Sequence, residues 1–277
     1  MVTVFYGPAG SGKSRKLLET VVNQAAHGVT GQVILVPELK SHEMERELCA
    51  AGGDTISRYA EVLSFSRLAS RVFALTGGLS EPALDDAGRV LAMARAVDTV
   101  RAQLRHYSAV IAQPEYLTAF VSLSDELKSY CVTPQALHDA AGLAGGSLAV
   151  KLEDLSLILS AYAAVCGQVG ADPRDQMERL RERLEDSDWA ADRHIYIDCF
   201  SFFTLQEQNI LEQLIRRAAS VTLCLTIEPE GGGVFDAARQ TMQVCKRLAQ
   251  RHGQPYHSRA FVDLPRRSDN LNLVQTA

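Results

Sequence analysis

The sequence predicts an α/β fold in which a parallel sheet carries helices on both faces and an all-helical block interrupts the chain. Residues 1–80 alternate short apolar runs with helical patterns, and the same alternation resumes at residue 191. Between them, residues 81–190 show helical spacing with almost no strand signal. Because strands that alternate with helices build parallel sheets, residues 1–80 and 191–277 are expected to form one domain. Residues 81–190 are then a helical insertion subdomain.

Composition places the chain among ordinary globular proteins. It has 277 residues, of which 47% are hydrophobic and 22% are charged. This length predicts one or two domains. The formal net charge of −5 argues against a chain that is basic throughout and coats nucleic acid. This net charge is compatible with a local basic groove on a protein that is acidic as a whole.

Cysteine usage and the apolar pattern indicate a cytoplasmic protein. The six cysteines are scattered, and none belongs to a C-x-x-C pair. Such spacing predicts reduced thiols rather than zinc or iron–sulfur ligands. The sequence has no long apolar run and no charged leader before its first strand. Neither a signal peptide nor a membrane span is therefore expected.

The first region opens on a predicted strand, "VTVFYG", followed by a helix from Ser14 to about Ala26. "QVILVP" (Gln32–Pro37) is a second predicted strand, and the helical pattern "LKSHEMERELCAAGG" ends at glycines. An extended piece ending in "EVLSF" then leads into the helical pattern "SRLASRVFALTGG". Strands and helices thus alternate from the start of the chain.

The middle region is predicted to be helical throughout. Helical spacing runs through "LDDAGRVLAMARAVDTVRAQL", "PEYLTAFVSLSDELKSY", "LAVKLEDLSLILSAYAAVCGQV" and "PRDQMERLRERLED". Thr133-Pro134 and Asp172-Pro173 each place a capping residue before a proline at a first helical position. Asp85 and Asp86 are expected to supply negative charge at a helix N-terminus.

The last region returns to the α/β pattern. "HIYIDCF" and "SVTLCLTI" are predicted strands, each followed by a helical pattern, and "QPYHSRAF" is a candidate last strand. The final residues carry no completing element. We therefore expect the chain to be part of something larger.

A glycine-rich motif between the first strand and the first helix predicts nucleotide binding. "GPAGSGKS" fits G-x-x-x-x-G-K-[ST], the phosphate-loop pattern. In this pattern the backbone N–H groups surround the phosphates, the lysine reaches the β- and γ-phosphates, and the final serine binds Mg²⁺. The predicted nucleotide-binding residues are Gly7, Pro8, Ala9, Gly10, Ser11, Gly12, Lys13 and Ser14. The motif favours a RecA-like P-loop domain that binds ATP and Mg²⁺.

A second strand should carry a carboxylate on the Mg²⁺ side of the nucleotide. "IYIDCF" supplies Asp198 at a strand end. Ser14 and Asp198 are therefore the predicted metal ligands. Cys199 follows Asp198 directly, and a thiol offers no carboxylate to position water.

Few P-loop proteins separate these two motifs by a long helical block. Superfamily 1 helicases of the UvrD type do, and the chain resembles them. By this resemblance "LVPE", which contains Pro37, lies where such helicases first contact single-stranded DNA. "VLSFSRLASRVF" is similar to a second strand-contacting segment, with Ser64-Phe65-Ser66 at its centre.

The chain also resembles the N-terminal region of the AddB family, over nearly all of residues 1–250. The strings that carry this resemblance are "GPAGSGKS", "LVPE", "VLSFSRLASRVF", "GGLSEPALDDAGR", "ELKSYCVTP", "KLEDLSLILSAY" and "IYIDCFSFFTLQEQNILEQL". The resemblance implies the B subunit of an ATP-dependent helicase–exonuclease that processes double-strand breaks for homologous recombination. It also implies an AddA-type partner subunit, a role in reading the Chi sequence, and an iron–sulfur cluster in a C-terminal nuclease domain that lies outside this chain.

Compared with a working helicase motor, the sequence lacks three parts. A UvrD-like motor has Asp-Glu-Phe-Gln-Asp at the acidic strand, whereas this chain has Cys199 in place of the glutamate. The first strand starts at once, without an upstream adenine-reading segment. The arginines that stabilise the transferring phosphate would come from a second RecA-like domain beyond residue 277. We therefore predict no catalytic residue, negligible ATPase and no nuclease activity for this chain alone.

Other interpretations stay open from the sequence. The P-loop fold could serve only as a scaffold for DNA or for the partner subunit, without nucleotide. A small-molecule P-loop kinase is a weaker alternative, because no acceptor-site signature accompanies the motif. Glu207 could stand in for the missing glutamate, but Thr204-Leu205-Gln206-Glu207 reads as a helix capping box.

The predicted DNA-contacting residues are Pro37, Ser64, Phe65, Ser66 and Arg67. Phe65 can stack on a base, and Arg67 can meet a phosphate. The alternative for Phe65 is a core position at a strand end.

Overall fold

A computed structural model of the chain describes residues 1–78, 82–109, 113–228 and 232–261. These residues divide into two compact units. The first unit consists of Met1–Thr76, Leu180–Phe203 and the described residues from Glu207 onward. The second consists of Gly77–Arg179 with Thr204–Gln206. Among the described residues, no helix combines the length and the apolar character that crossing a membrane requires.

The first unit contains a parallel sheet of six strands in the order β3-β2-β4-β5-β1-β6. The strands are β1 (Val2–Gly7), β2 (Gln32–Leu35), β3 (Ala60–Leu63), β4 (His194–Ile197), β5 (Ser220–Thr226) and β6 (Tyr256–Ala260). The predicted strands are thus present, including the candidate last one.

Ten α-helices occur in the described part of the chain. They are α1 (Lys13–Ala26), α2 (Ser41–Gly52), α3 (Phe65–Thr76), α4 (Asp86–Val100), α5 (Pro114–Ser129), α6 (Pro134–Leu143), α7 (Gly146–Val169), α8 (Gln176–Asp186), α9 (Leu205–Arg217) and α10 (Asp236–Arg251). Both predicted capping residues accept a backbone hydrogen bond, Thr133 from Ala136 N at 3.1 Å and Asp172 from Arg174 N at 3.0 Å. Asp85, predicted only as negative charge at a helix N-terminus, also caps α4 by accepting from Gly88 N at 2.7 Å.

Burial along the strands shows that both faces of the sheet are covered. Side chains of a strand point alternately to opposite faces, yet all of β2 and the last three residues of β4 are buried. Continuous burial of this kind is typical of a parallel sheet between helices. The predicted α/β class is therefore confirmed.

One face of the sheet packs against α1 and α2. Apolar residues from the strands meet the two helices there, and this core also takes in Ile56 from the turn after α2. The buried members of the cluster are Phe5, Leu17, Leu18, Val21, Ala25, Ile34, Val36, Met44, Leu48, Ile56, Ala60, Val62, Tyr196 and Cys224. α10 contacts β1, β5 and β6.

The second unit is built around α4, α5, α6 and α7. Its apolar core includes the fully buried Met93 and Ile158 together with Phe120. Its first and last segments meet at an isolated bridge between Ala83 and Ala171, and Leu84 N donates to Ala171 O at 2.9 Å.

A buried charge network fixes that closure within the second unit. Asp172 is 2% exposed and accepts hydrogen bonds from Arg89 Nε at 3.0 Å, Lys128 Nζ at 2.8 Å and Tyr162 OH at 3.0 Å. Arg89 also pairs with Asp125. Burial alone would raise the pKa of Asp172, but Lys128 and the other partners lower it overall. The carboxylate is therefore charged and fully paired, as a buried ion must be.

We expect Asp172→Asn to destabilise the protein by about 3 kcal/mol, because it leaves Arg89 and Lys128 buried with reduced compensation. Since folding lowers the pKa of Asp172, its contribution is present above the ordinary aspartate pKa of about 4 and is lost as the pH falls further. Urea unfolding between pH 7 and pH 3 measures both effects.

Asp98→Asn is the matched control, since Asp98 is exposed on α4 of the same unit. Its free energy of unfolding should change by less than about 0.5 kcal/mol. Equal losses in the two variants would show that the Asp172 network contributes nothing specific.

Candidate functional site

The glycine-rich loop between Gly7 and Ser14 joins the carboxyl end of β1 to the start of α1. Gly12 precedes α1 with φ 90° and ψ 11°, a left-handed conformation that glycine adopts without strain. A Cβ atom built on Gly12 would have no atom within 4 Å. The loop therefore leaves open space beside the helix N-terminus, where an anion can approach the backbone N–H groups.

Gly7 is required for a different reason, which the sequence motif does not reveal. A Cβ atom at this position would lie 2.2 Å from the carbonyl oxygen of Phe261. Phe261 follows β6 and donates its N–H to Tyr6 O at 2.7 Å. The edge strand thus comes so close to the start of the loop that only glycine fits there.

Lys13 is buried at the centre of the loop, with 6% of its surface exposed. Its Nζ donates to Gly7 O at 2.9 Å, to Pro8 O at 2.6 Å and to Ser11 Oγ at 3.2 Å. The ammonium group is therefore held by the loop's own oxygens. A phosphate group that enters the loop would compete for the same donors.

Asp198 follows β4 and lies near the loop. It is 5% exposed, and its Oδ1 accepts from the Cys199 N–H at 2.7 Å. Burial raises the pKa of the Asp198 carboxyl above its usual value, while the Ser14 hydroxyl, the Cys199 N–H and the Lys13 charge oppose this shift. The fold thus brings Lys13, Ser14 and Asp198 together.

The second carboxylate oxygen of Asp198 bears on whether Mg²⁺ fits this site. Oδ2 is buried and has no hydrogen-bond partner among the described residues. An unpaired buried carboxylate oxygen beside a serine hydroxyl suits a hard cation that takes its other ligands from water and phosphate. No cluster of three or more His, Cys, Asp or Glu side chains that could hold a metal occurs in the described part of the chain. The residues present therefore fit Mg²⁺ bound together with a nucleotide.

Cys199 has an unusual backbone conformation for a residue with a side chain, at φ 66°. This conformation turns the chain away after β4 and presents the Cys199 N–H to the preceding carboxylate. Although Cys199 is exposed, desolvation of its thiol and the neighbouring Asp198 charge raise the pKa of the thiol to about 11. The thiol is therefore protonated at neutral pH and cannot serve as a general base.

The predicted DNA-contacting residues lie at the carboxyl ends of the neighbouring strands β2 and β3. Ser66 Oγ donates to Glu38 Oε2 at 2.7 Å, and Ser64 Oγ lies 3.0 Å from Ser66 Oγ. The hydroxyls of Ser64 and Ser66 lower the pKa of the Glu38 carboxyl. The fold thus joins the segment after Pro37 to the start of α3.

Arg67 is exposed and forms an ion pair with Glu45 of α2, at 2.7 Å from Nη1 to Oε1. The predicted site residues include neither Glu38 nor Glu45, although Glu38 is the last residue of the quoted segment "LVPE". Glu38 directly follows the second predicted strand, so its place at the carboxyl edge of the sheet could have indicated a site residue. Glu45 could not be found in this way, because it lies within a helix.

Phe65 is 6% exposed and packs edge-on against Phe200 at 5.6 Å and Phe203 at 6.3 Å between ring centroids. Phe200 and Phe203 stack at 4.9 Å. In this arrangement the ring of Phe65 belongs to an aromatic cluster, and it would have to move before a base could stack on it.

Together, the fold and the site define an α/β protein whose parallel sheet carries a glycine-rich loop, a buried lysine and a buried aspartate at one edge. The family model described as "ADDB, N-terminal" matches residues 4–275. The chain belongs to this family, as its resemblance predicted.

Curated relatives agree with this assignment. A protein of Desulforudis audaxviator, named as the B subunit of an ATP-dependent helicase/deoxyribonuclease, is 33% identical over 259 residues, which are 89% of this chain and 22% of the relative. A protein of the same name from Symbiobacterium thermophilum is 33% identical over 231 residues, 80% of this chain and 20% of the relative. The chain spans about a fifth of the length of these relatives.

Cys199→Gly should raise the free energy of unfolding by about 1 kcal/mol, because glycine adopts the left-handed conformation without the Cβ penalty. Cys49→Gly is the contrasting variant. Cys49 lies inside α2, where glycine should lower stability by about 0.3 kcal/mol, because cysteine is itself a weak helix former. Denaturant unfolding measures whether each substitution raises or lowers the free energy of unfolding. A loss of stability in Cys199→Gly would contradict the prediction.

Proposed function

We propose that this chain binds ATP–Mg²⁺ at the glycine-rich loop and hydrolyses it negligibly. The proposal is carried by one observation: Lys13, Ser14 and the unpaired Oδ2 of Asp198 converge, while Cys199 stands where a motor needs a carboxylate. Lys13 would bind the phosphates of the nucleotide. Ser14 and Asp198 would bind Mg²⁺. No neighbouring residue of the acidic strand supplies the water-positioning base.

We further propose that the sheet domain is RecA-like, formed by residues 1–80 and 191–277, with residues 81–190 as a helical insertion. The parallel sheet with a loop-bearing first strand supports the first part. The compact helical unit between two segments of the sheet unit supports the second.

For the whole protein we propose the role that its relatives' names give: the B subunit of an ATP-dependent helicase/deoxyribonuclease. That role implies an AddA-type partner subunit, DNA as substrate, and action in the cytoplasm in double-strand-break repair. A nuclease domain with an iron–sulfur cluster would belong to the remaining part of such a subunit. Reading of the Chi sequence is proposed for the helicase-like region.

Titration calorimetry tests nucleotide binding. We expect Mg²⁺-dependent heat with ATP, loss of that heat in Lys13→Ala, and weakened Mg²⁺ dependence in Asp198→Asn. Lys16→Ala is the control, because Lys16 lies one turn from the loop and pairs only loosely with Glu19, at 3.8 Å. Sustained ATPase that single-stranded DNA stimulates and that Lys13→Ala abolishes would contradict the proposed lack of turnover.

A second candidate is a scaffold that no longer binds nucleotide. The observation that favours it is that the Lys13 ammonium group already has three oxygen partners in the loop. This candidate predicts no Mg²⁺-dependent heat with ATP in the unmodified chain. The same titration therefore separates the two functions.

We also propose that Pro37, Ser64, Ser66 and Arg67 border a single-strand contact in which Glu45 competes with phosphate for Arg67. Glu45→Gln should release the guanidinium and tighten single-stranded DNA by about two- to fivefold, whereas Arg67→Ala should weaken it by a similar factor.

Fluorescence anisotropy with a labelled oligothymidylate at two salt concentrations measures these changes. Arg67→Ala should also reduce the salt slope by about one. Glu43→Gln is the control, since Glu43 lies in the first turn of α2 and pairs with Lys40, the residue before that helix. If Glu45→Gln and Glu43→Gln change the affinity for single-stranded DNA equally, the change comes from the altered net charge of the protein. Arg67 then has no specific role.

A further inference from the structure

A cavity of about 480 Å³ opens within the first unit, and its lining includes neither the glycine-rich loop nor the Ser64–Arg67 segment. It lies between α10, the side chain of Gln208 on α9 and the two phenylalanines before α9. The lining residues are Phe202, Phe203, Gln208, Ala237, Gln240, Thr241, Gln243, Val244 and Arg247.

Phe202 and Phe203 give the cavity an aromatic wall with two different roles. Phe203 is 5% exposed and stacks on Phe200, so it is part of the core. Phe202 is 62% exposed. A large apolar ring exposed at the mouth of a cavity offers a planar face to a ligand.

The opposite wall is one face of α10. Gln240, Gln243 and Arg247 are exposed there and make no hydrogen bond or ion pair with another described residue. Helical spacing places these residues on one side of α10, together with Ala237 and Val244. Two amides and one guanidinium therefore face the cavity without a partner among the described residues.

The charge of the cavity selects its ligand. None of the described residues that line it is acidic, and Arg247 is its one charged member. An exposed ring, and amides and a guanidinium without a partner among the described residues, match three features of a nucleotide. The base can stack on the ring, the edge of the base can exchange hydrogen bonds with the amides, and the phosphate can pair with the guanidinium.

We propose that this cavity binds a nucleobase together with its adjoining phosphate. The base stacks on Phe202, the amides of Gln240 and Gln243 contact its edge, and Arg247 binds the phosphate. The source can be one position of a DNA single strand or a free nucleotide. The single-strand case rests on the proposed contact with DNA and adds a second contact point to it.

Fluorescence anisotropy tests the site with three probes: an oligothymidylate, the same oligomer made of abasic residues, and labelled dTMP. We expect Phe202→Ala to weaken oligothymidylate by about fivefold or more and to leave abasic oligomer unchanged, because stacking needs the base. Arg247→Ala should weaken both oligomers. Phe202→Trp should retain binding, since it keeps an exposed ring.

Lys246→Ala is the matched control, because it removes an equal charge from the next position of α10 and lines a different cavity. The proposal is overturned if Lys246→Ala and Arg247→Ala weaken the oligomers equally, or if Phe202→Ala weakens the abasic oligomer as much as the base-bearing one. It is also overturned if neither Phe202→Ala nor Arg247→Ala affects binding of any of the three probes. The exposed ring of Phe202 would then be a candidate contact for a protein partner instead.

Binding of dTMP that Phe202→Ala abolishes would assign the site to free nucleotide instead of a strand. Failure of this site is distinguishable from failure of the first DNA contact, because the Glu45→Gln and Arg67→Ala responses do not depend on Phe202. It is distinguishable from failure of ATP binding, since Lys13→Ala leaves the cavity residues unchanged.

Discussion

The parallel register of the sheet is the constraint on which the rest of the first unit depends. Because every strand runs in the same direction, every strand ends at the same edge, with Gly7 opposite Thr226 and Leu35 opposite both Leu63 and Ile197. The residues that follow these ends are the glycine-rich loop, Glu38, Ser64 and Asp198. Functional side chains that are far apart in the sequence therefore lie at one edge of the sheet.

At that edge, the positive charge of Lys13 lies close enough to Asp198 to lower the pKa of its carboxyl. The loop carbonyls hold the Lys13 ammonium group, and the Cys199 N–H holds one oxygen of Asp198. The other oxygen of Asp198 has no partner among the described residues, although burial makes such an oxygen costly. A cation or a water molecule that binds there would relieve this cost, and Mg²⁺ in that place is the case that we propose.

Features that depend on residues close together in the chain, such as helix caps and the glycine-rich loop, could be predicted from the sequence. Asp85 and Thr133 cap helices as their residue types indicate, and Lys13 follows from motif spacing. Other features depend on contacts between distant segments. Gly7 is required by the backbone of Phe261, and the Ser66–Glu38 bond joins two strand ends that only the fold brings together. No period or motif in a single sequence encodes such pairs.

The aromatic cluster relates the proposed DNA contacts to one another. Phe65 begins α3 beside Ser66 and Arg67, and its ring packs against Phe203. Phe203 also lines the cavity on α10, next to the exposed Phe202. A ligand that shifts Phe203 must therefore shift Phe65 or break the edge-on contact. Since coupling between two sites is reciprocal, a strand held at Arg67 and a base held at Phe202 would each alter the other's affinity through this cluster. Under these two proposals, the buried Phe65 would influence DNA binding through its packing on Phe203, without a base stacked on its ring.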